Sequence, residues 1–171
     1  MKRFFNFLAV LILLLGLAGV ANAVTINYNY VIEADGNSYT SPYSGVTVED
    51  FDSSLIWGWT GEGAVVNGSL VNRYAAPFGV SAPDATHYVS VPFANSSGTI
   101  RASLGADYNY FGIWWGSVDT YNSLSFYNGS TEVASFTGAS ITSPNGANGN
   151  QTAHSTNLYV NFLDLPLFDS F

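Results

Sequence analysis

Apolar and polar residues alternate along Val24-Thr25-Ile26-Asn27-Tyr28-Asn29-Tyr30-Val31-Ile32-Glu33, and no later stretch sustains helical spacing beyond a turn or two. Period two places Val24, Ile26, Tyr28, Tyr30 and Ile32 on one face of a half-buried strand. Asp35-Gly36-Asn37-Ser38 closes it with turn-forming residues. The same signature recurs in short pieces. Val46 to Phe51 reads as a second strand and Leu55 to Trp59 as a third, with Gly58, Gly61 and Gly63 marking bends. Val65-Val66 and Leu70-Val71 flank Asn67-Gly68-Ser69 as a tight hairpin. Pro77, Gly79, Pro83 and Asp84 mark an irregular connection, after which His87 to Val91 and Thr99 to Leu104 read as strands.

Further on, the continuously bulky run Tyr108 to Trp115 suits a strand buried on both sides. The strongest local signal is Leu124-Ser-Phe-Tyr-Asn-Gly-Ser-Thr-Glu-Val-Ala-Ser-Phe136, two β-rich arms joined at Asn128-Gly129. That pair accepts positive φ at both turn positions and predicts a hairpin. Residues 138–157 are rich in Gly, Asn, Ser and Thr and read as a long loop. Leu158 to Leu163 is the last strand predicted. Many short strands with turn clusters between them predict an all-β fold, an antiparallel β-sandwich of jelly-roll type.

The amino terminus differs from all of this. Met1-Lys2-Arg3 is followed by an apolar run from Phe7 to Leu17 and by Ala21-Asn22-Ala23. Charge, short apolar stretch and small-residue site in that order predict a secretory signal peptide over residues 1–23, cleaved after Ala23. The run is shorter than the roughly 20 residues of a membrane span, so no span is expected in the mature chain. Residues 24–171 then form a single domain, of a size that supports a core without staples. Only Arg73 and Arg101 remain there against twelve carboxylates, a formal charge of −10. With no basic stripe to displace counterions, nucleic-acid binding is excluded. The absence of cysteine excludes thiolate zinc sites and cysteine nucleophiles.

Chemistry-bearing residues are sparse. Glu49, Asp50 and Asp52 form the tightest carboxylate group. Two readings stay open for it, a partial calcium site or a solvated edge whose charges discourage edge pairing. No other cofactor is expected. His87 falls in a predicted strand and His154 in a loop, without a Gly-x-Ser-x-Gly elbow to accompany them. Trp57, Trp59, Trp114 and Trp115, with Tyr108 and Tyr110, are candidates for stacking on sugar rings, and equally for building the core. The adjacent Trp114 and Trp115 must point to opposite faces of a regular strand. Asn67, Asn95, Asn128 and Asn150 fit the glycosylation spelling, which matters only in a eukaryotic secretory route.

The stretch Tyr110-Phe-Gly-Ile-Trp-Trp-Gly-Ser-Val-Asp-Thr-Tyr-Asn-Ser-Leu-Ser-Phe-Tyr-Asn-Gly129 resembles bacterial exosortase-dependent surface proteins, the PEP-CTERM class. Arg73-Tyr-Ala-Ala-Pro-Phe-Gly79, Val133-Ala-Ser-Phe-Thr-Gly138, Ala147-Asn-Gly-Asn-Gln151 and Tyr159-Val-Asn-Phe162 support the resemblance. It covers most of residues 46–168 and concerns a scaffold rather than an activity. It implies a Gram-negative source and a lectin-like sandwich at the cell surface or in extracellular polymer, as in a biofilm. The family usually continues through another strand, a Val-Pro-Glu-Pro-like motif, a membrane helix and a basic tail. Here Leu165 to Phe171 stands instead, so the expectation is a shortened member without its sorting tail.

Two functions from different classes follow as expectations. One is a non-enzymatic exported surface or matrix protein that contacts extracellular polysaccharide. The other is a secreted glycan-active hydrolase using carboxylates such as Asp50 or Asp119, which would need two facing acids about 5–9 Å apart.

Overall fold

The structure, a computed structural model, describes residues 23–142 and 146–171. The expected signal peptide therefore lies, but for Ala23, outside the described residues. Two antiparallel sheets face each other. The five-stranded sheet runs in the order β10(Thr131–Thr137), β9(Ser123–Asn128), β12(Phe168–Ser170), β7(Ile100–Tyr108), β4(Gly58–Gly61). The three-stranded sheet runs β1(Thr25–Asn27), β11(Leu158–Leu163), β8(Phe111–Trp115). Two short pairs, β2(Val31–Ile32) with β3(Tyr39–Thr40) and β5(Ala64–Asn67) with β6(His87–Ser90), complete the strands. The β-sandwich is thus shown.

Between the sheets lies a core made largely of phenylalanine. Phe126, Phe162 and Phe168 are fully buried, with Val118, Ile141, Val160 and Leu165 around them. Ring centroids stand 4.8 Å apart for Phe126 and Phe168 and 4.7 Å apart for Phe136 and Phe162. These separations suit offset and edge contacts, which add to the transfer energy of burying large rings. Ile26, Leu104, Phe111, Ile113, Trp115 and Leu124 close the margins.

Several expectations need correction. The strand expected over 24–33 splits after Asn27. Asn29 donates its N–H to Asn27 Oδ1, and its carbonyl accepts from Asn161 Nδ2 at 2.7 Å, so side chains take the ladder's partners. Tyr28, Tyr30 and Ile32 are exposed, not turned to the core. Val46 to Phe51 is no strand. There Glu49 accepts the N–H groups of Phe51 and Ile56, Asp50 accepts that of Asp52, and Phe51 takes a left-handed φ of 59°. Short acidic side chains have captured the donors a sheet would need. Of Leu55 to Trp59 only the end enters β4.

Asn67-Gly68-Ser69 joins no hairpin, because β5 pairs instead with β6, in register from Ala64 with Ser90 to Asn67 with His87. The run Tyr108 to Trp115 is two strands. The chain crosses between the sheets at Asn109-Tyr110, which explains bulk at every position without a doubly buried strand. The hairpin of 123–137 is present, one residue out of frame. Asn128 pairs with Thr131, so Gly129 and Ser130 are the central residues, and of these Gly129 alone has positive φ, at 59°. That is the pattern of a II′ turn rather than I′. A register shift between Glu132 and Ala134 bulges its second arm.

Within the expected loop of 138–157, Gly138–Ile141 forms a helical turn, α1, capped by Thr137, and His154–Thr156 a 3-10 turn. Residues 143–145 of that loop are not described. Leu158 to Leu163 is a strand as expected, but not the last. The C-terminal residues supply β12, seated between β9 and β7 in the sheet interior. Among the described residues no helix is long and apolar enough to cross a membrane.

Candidate functional site

Strand β11 is buried on both sides. Val160 and Phe162 enter the core, while Tyr159 and Asn161 face outward and are buried all the same. Their cover is the segment that follows β1, folded back across the sheet. Asn161 Nδ2 donates to Asn27 Oδ1 at 3.0 Å and to Asn29 O at 2.7 Å, and its Oδ1 accepts from the Tyr110 hydroxyl at 2.8 Å. Tyr110 and Ser41 hydroxyls meet at 2.7 Å, and Asn27 Nδ2 donates to Tyr43 Oη at 2.9 Å. Gly112 makes room for this layer, since a Cβ there would come within 2.5 Å of the Tyr110 hydroxyl and 2.7 Å of that of Tyr159.

Beside this polar layer opens a groove of about 270 Å³, lined among others by Tyr28, Tyr30, Tyr39, His154, Leu158 and Tyr159. Tyr28 is 45% and Tyr30 46% exposed, so aromatic faces remain accessible. The Tyr30 ring lies 4.3 Å from that of Tyr39, which in turn rests 5.1 Å from Trp114. The Tyr28 hydroxyl is tied to the carbonyl of Ile141. Burial pushes the Tyr159 hydroxyl well up, with Tyr110 and Glu33 adding to the rise. Tyr28 and Tyr39 are raised as well, chiefly by burial. All three stay protonated at neutral pH, and the Tyr28 proton is already committed to the Ile141 carbonyl.

Distant segments hold the groove in shape. Asn37 Oδ1 accepts the N–H groups of Ser81 and Ala82 at 3.1 Å each, docking the connection that carries Val80. Gly79 meets Asn37 so closely that a side chain there would collide with its backbone. His154 Nε2 lies 3.0 Å from the Gly79 carbonyl. Asn157, 2% exposed, accepts from Phe78 N and Ser117 N and donates to Asn150 O and Ala153 O. Both polar atoms of the Asn157 side chain are thus committed to joining three loops.

The residues singled out from the sequence fall elsewhere or behind. Trp115 packs against the core, and Trp57 and Trp59 stand edge-on to Phe171 at 6.4 and 5.7 Å. Trp114 backs Tyr39, on the opposite side of β8 from Trp115, as alternation requires. Tyr108 packs against Phe168, and Tyr110 joins the buried network. Glu49, Asp50 and Asp52 do not converge. Among the described residues no three His, Asp or Glu side chains are grouped to hold a metal ion.

His87 Nδ1 lies 2.7 Å from Asp52 Oδ1, an exposed pair that pins the 49–57 segment to β6. Backbone and side-chain hydrogen bonds from His87 hold the Asp52 carboxyl below its usual range. Neither histidine ring is hydrogen-bonded to a serine hydroxyl among the described residues. Asp119 accepts from Tyr121 at 2.6 Å, and Asp50 is occupied by the N–H of Asp52. A second, more open depression of about 520 Å³ lies over Arg101, Ser103, Asp107 and Asp169. Its guanidinium is already engaged, donating to Gly129 O and Ser170 Oγ and lying 4.4 Å over the Tyr127 ring.

The tyrosines of the groove were missed because alternation alone assigned Tyr28 and Tyr30 to the core. The interleaved asparagines, Asn27 and Asn29, were the available signal that this stretch leaves the ladder. No protein-family model, curated protein or solved structure gives a significant match to the chain.

Proposed function

We propose that this chain is a non-enzymatic exported surface or matrix protein whose sandwich contacts extracellular polysaccharide through the tyrosine groove. The observation that carries the reading is the pair of exposed rings, Tyr28 and Tyr30, at the edge of a concave face backed by Tyr39 and Trp114. Flat aromatic faces offer apolar area at low entropic cost, and their hydroxyls fix orientation. Sugar rings present the complement, apolar C–H faces edged by hydroxyls. Export by the amino-terminal leader belongs to the same proposal and rests on the residue pattern of 1–23, while a Gram-negative source of the exosortase type rests on the sequence resemblance.

Affinity electrophoresis of the secreted chain through polysaccharide-containing gels tests it. Retardation is expected, and the double variant Tyr28→Ala/Tyr30→Ala is expected to lose most of it with an unchanged circular dichroism spectrum. Unretarded migration through every polymer contradicts the reading.

A further inference from the structure

We propose that the groove selects uncharged glycan chains and rejects uronate-bearing ones. This deepens the polysaccharide reading and rests on it. The argument is one of charge. Among the described residues the arginines lie away from the groove and are occupied: Arg73 donates to Phe93 O and covers the Phe93 ring at 5.3 Å, and Arg101 lines the other depression. His154 is the groove's only basic side chain, with Nε2 already against the Gly79 carbonyl. Carboxylates flank the segment that forms the groove's wall. Glu33 lies near enough to act on Tyr159, and Asp35 caps the neighbouring turn through Asn37 N and Ser38 N. Residues 24–171 carry a formal −10, two arginines against twelve carboxylates.

A uronate seated here would lose water from its carboxylate with no arginine or lysine to replace it, inside a repelling field. A neutral sugar meets only hydroxyls and ring faces. Selectivity of this kind comes from an unpaired charge in the wrong ligand, not from an added contact in the right one.

A depletion assay with insoluble neutral β-glucan and cross-linked polygalacturonate reads the difference. At low ionic strength, binding to the uronate polymer is expected to be weaker by about tenfold or more. Near 1 M salt, where the screening length falls to about 3 Å, the uronate value should rise while the neutral one stays level. The variant Val80→Lys, which adds a cation to an exposed wall of the groove, should raise uronate binding relative to neutral binding at low salt. Equal or stronger uronate binding at low salt, lost as salt is added, overturns the selectivity and leaves polysaccharide contact standing. Binding of neither polymer overturns both. Neutral binding that survives Tyr28→Ala/Tyr30→Ala moves the contact off this groove and overturns the inference as well.

Discussion

The two faces of β11 are both buried, by different means. Inward, Val160 and Phe162 sit in an apolar interface whose stabilisation grows with area and tolerates small shifts of geometry. Outward, Tyr159 and Asn161 are covered by a segment held through hydrogen bonds among Asn27, Asn29, Ser41, Tyr43 and Tyr110. Such a layer gains little net free energy per bond and loses much when one partner is removed. The inner face holds the sandwich together. The outer face fixes where the tyrosines stand, and so the groove depends on it.

Phe162→Ala should have the largest effect, a loss of about 3–5 kcal/mol in urea unfolding, because a fully buried ring leaves a cavity among close neighbours. Asn161→Ala comes next, at roughly 2–4 kcal/mol, since it removes three hydrogen bonds at once, from the Tyr110 hydroxyl and to Asn27 Oδ1 and the Asn29 carbonyl. Its damage should be local, with limited proteolysis cutting between residues 27 and 45 before the sandwich unfolds. Global unfolding without that early cut would merge the two faces into one cooperative unit. Gly112→Ala should cost about 1–3 kcal/mol and displace the Tyr110 and Tyr159 hydroxyls, read as weaker binding to polysaccharide.

The outer layer also carries a pH signature. The pKa values of Tyr159 and Tyr110 are raised in the folded state, chiefly by burial; outside this layer, on β6, Tyr88 is likewise pushed up to about 12. Their contribution is complete below the unfolded value of about 10 and declines as pH rises through the folded values. Absorbance at alkaline pH should therefore show a set of tyrosines that ionise only as the outer layer opens. Asp52→Asn should have the smallest effect, under about 0.5 kcal/mol, because the pair with His87 is exposed. The lowered carboxyl of Asp52 contributes above the unfolded value of about 3.9 and is lost as pH falls through its folded value.

Much of the inner face was legible in the sequence. Ile100, Ala102 and Leu104 share a face as their spacing requires, Leu158 to Leu163 is a strand, and the hairpin around Gly129 is present. These segments follow a local rule that the tertiary fold leaves in force. The outer layer was not legible. The alternation of 24–33 reads as one strand until Asn161, 132 residues from Asn29, takes a carbonyl from it. Glu49 and Asp50 sit in a strand-like sequence yet bind the backbone donors around them. Phe168–Ser170 is too short to announce itself, though it fills the middle of a sheet. The groove gathers residues from 28 to 159, and no spacing rule links them.

Hydrogen exchange of the folded chain with and without a neutral oligosaccharide locates the contact. Added protection confined to residues 28–39 and 154–159 is the expected result. Protection centred on Arg101 and Asp169, or protection nowhere, would contradict a glycan-reading outer face.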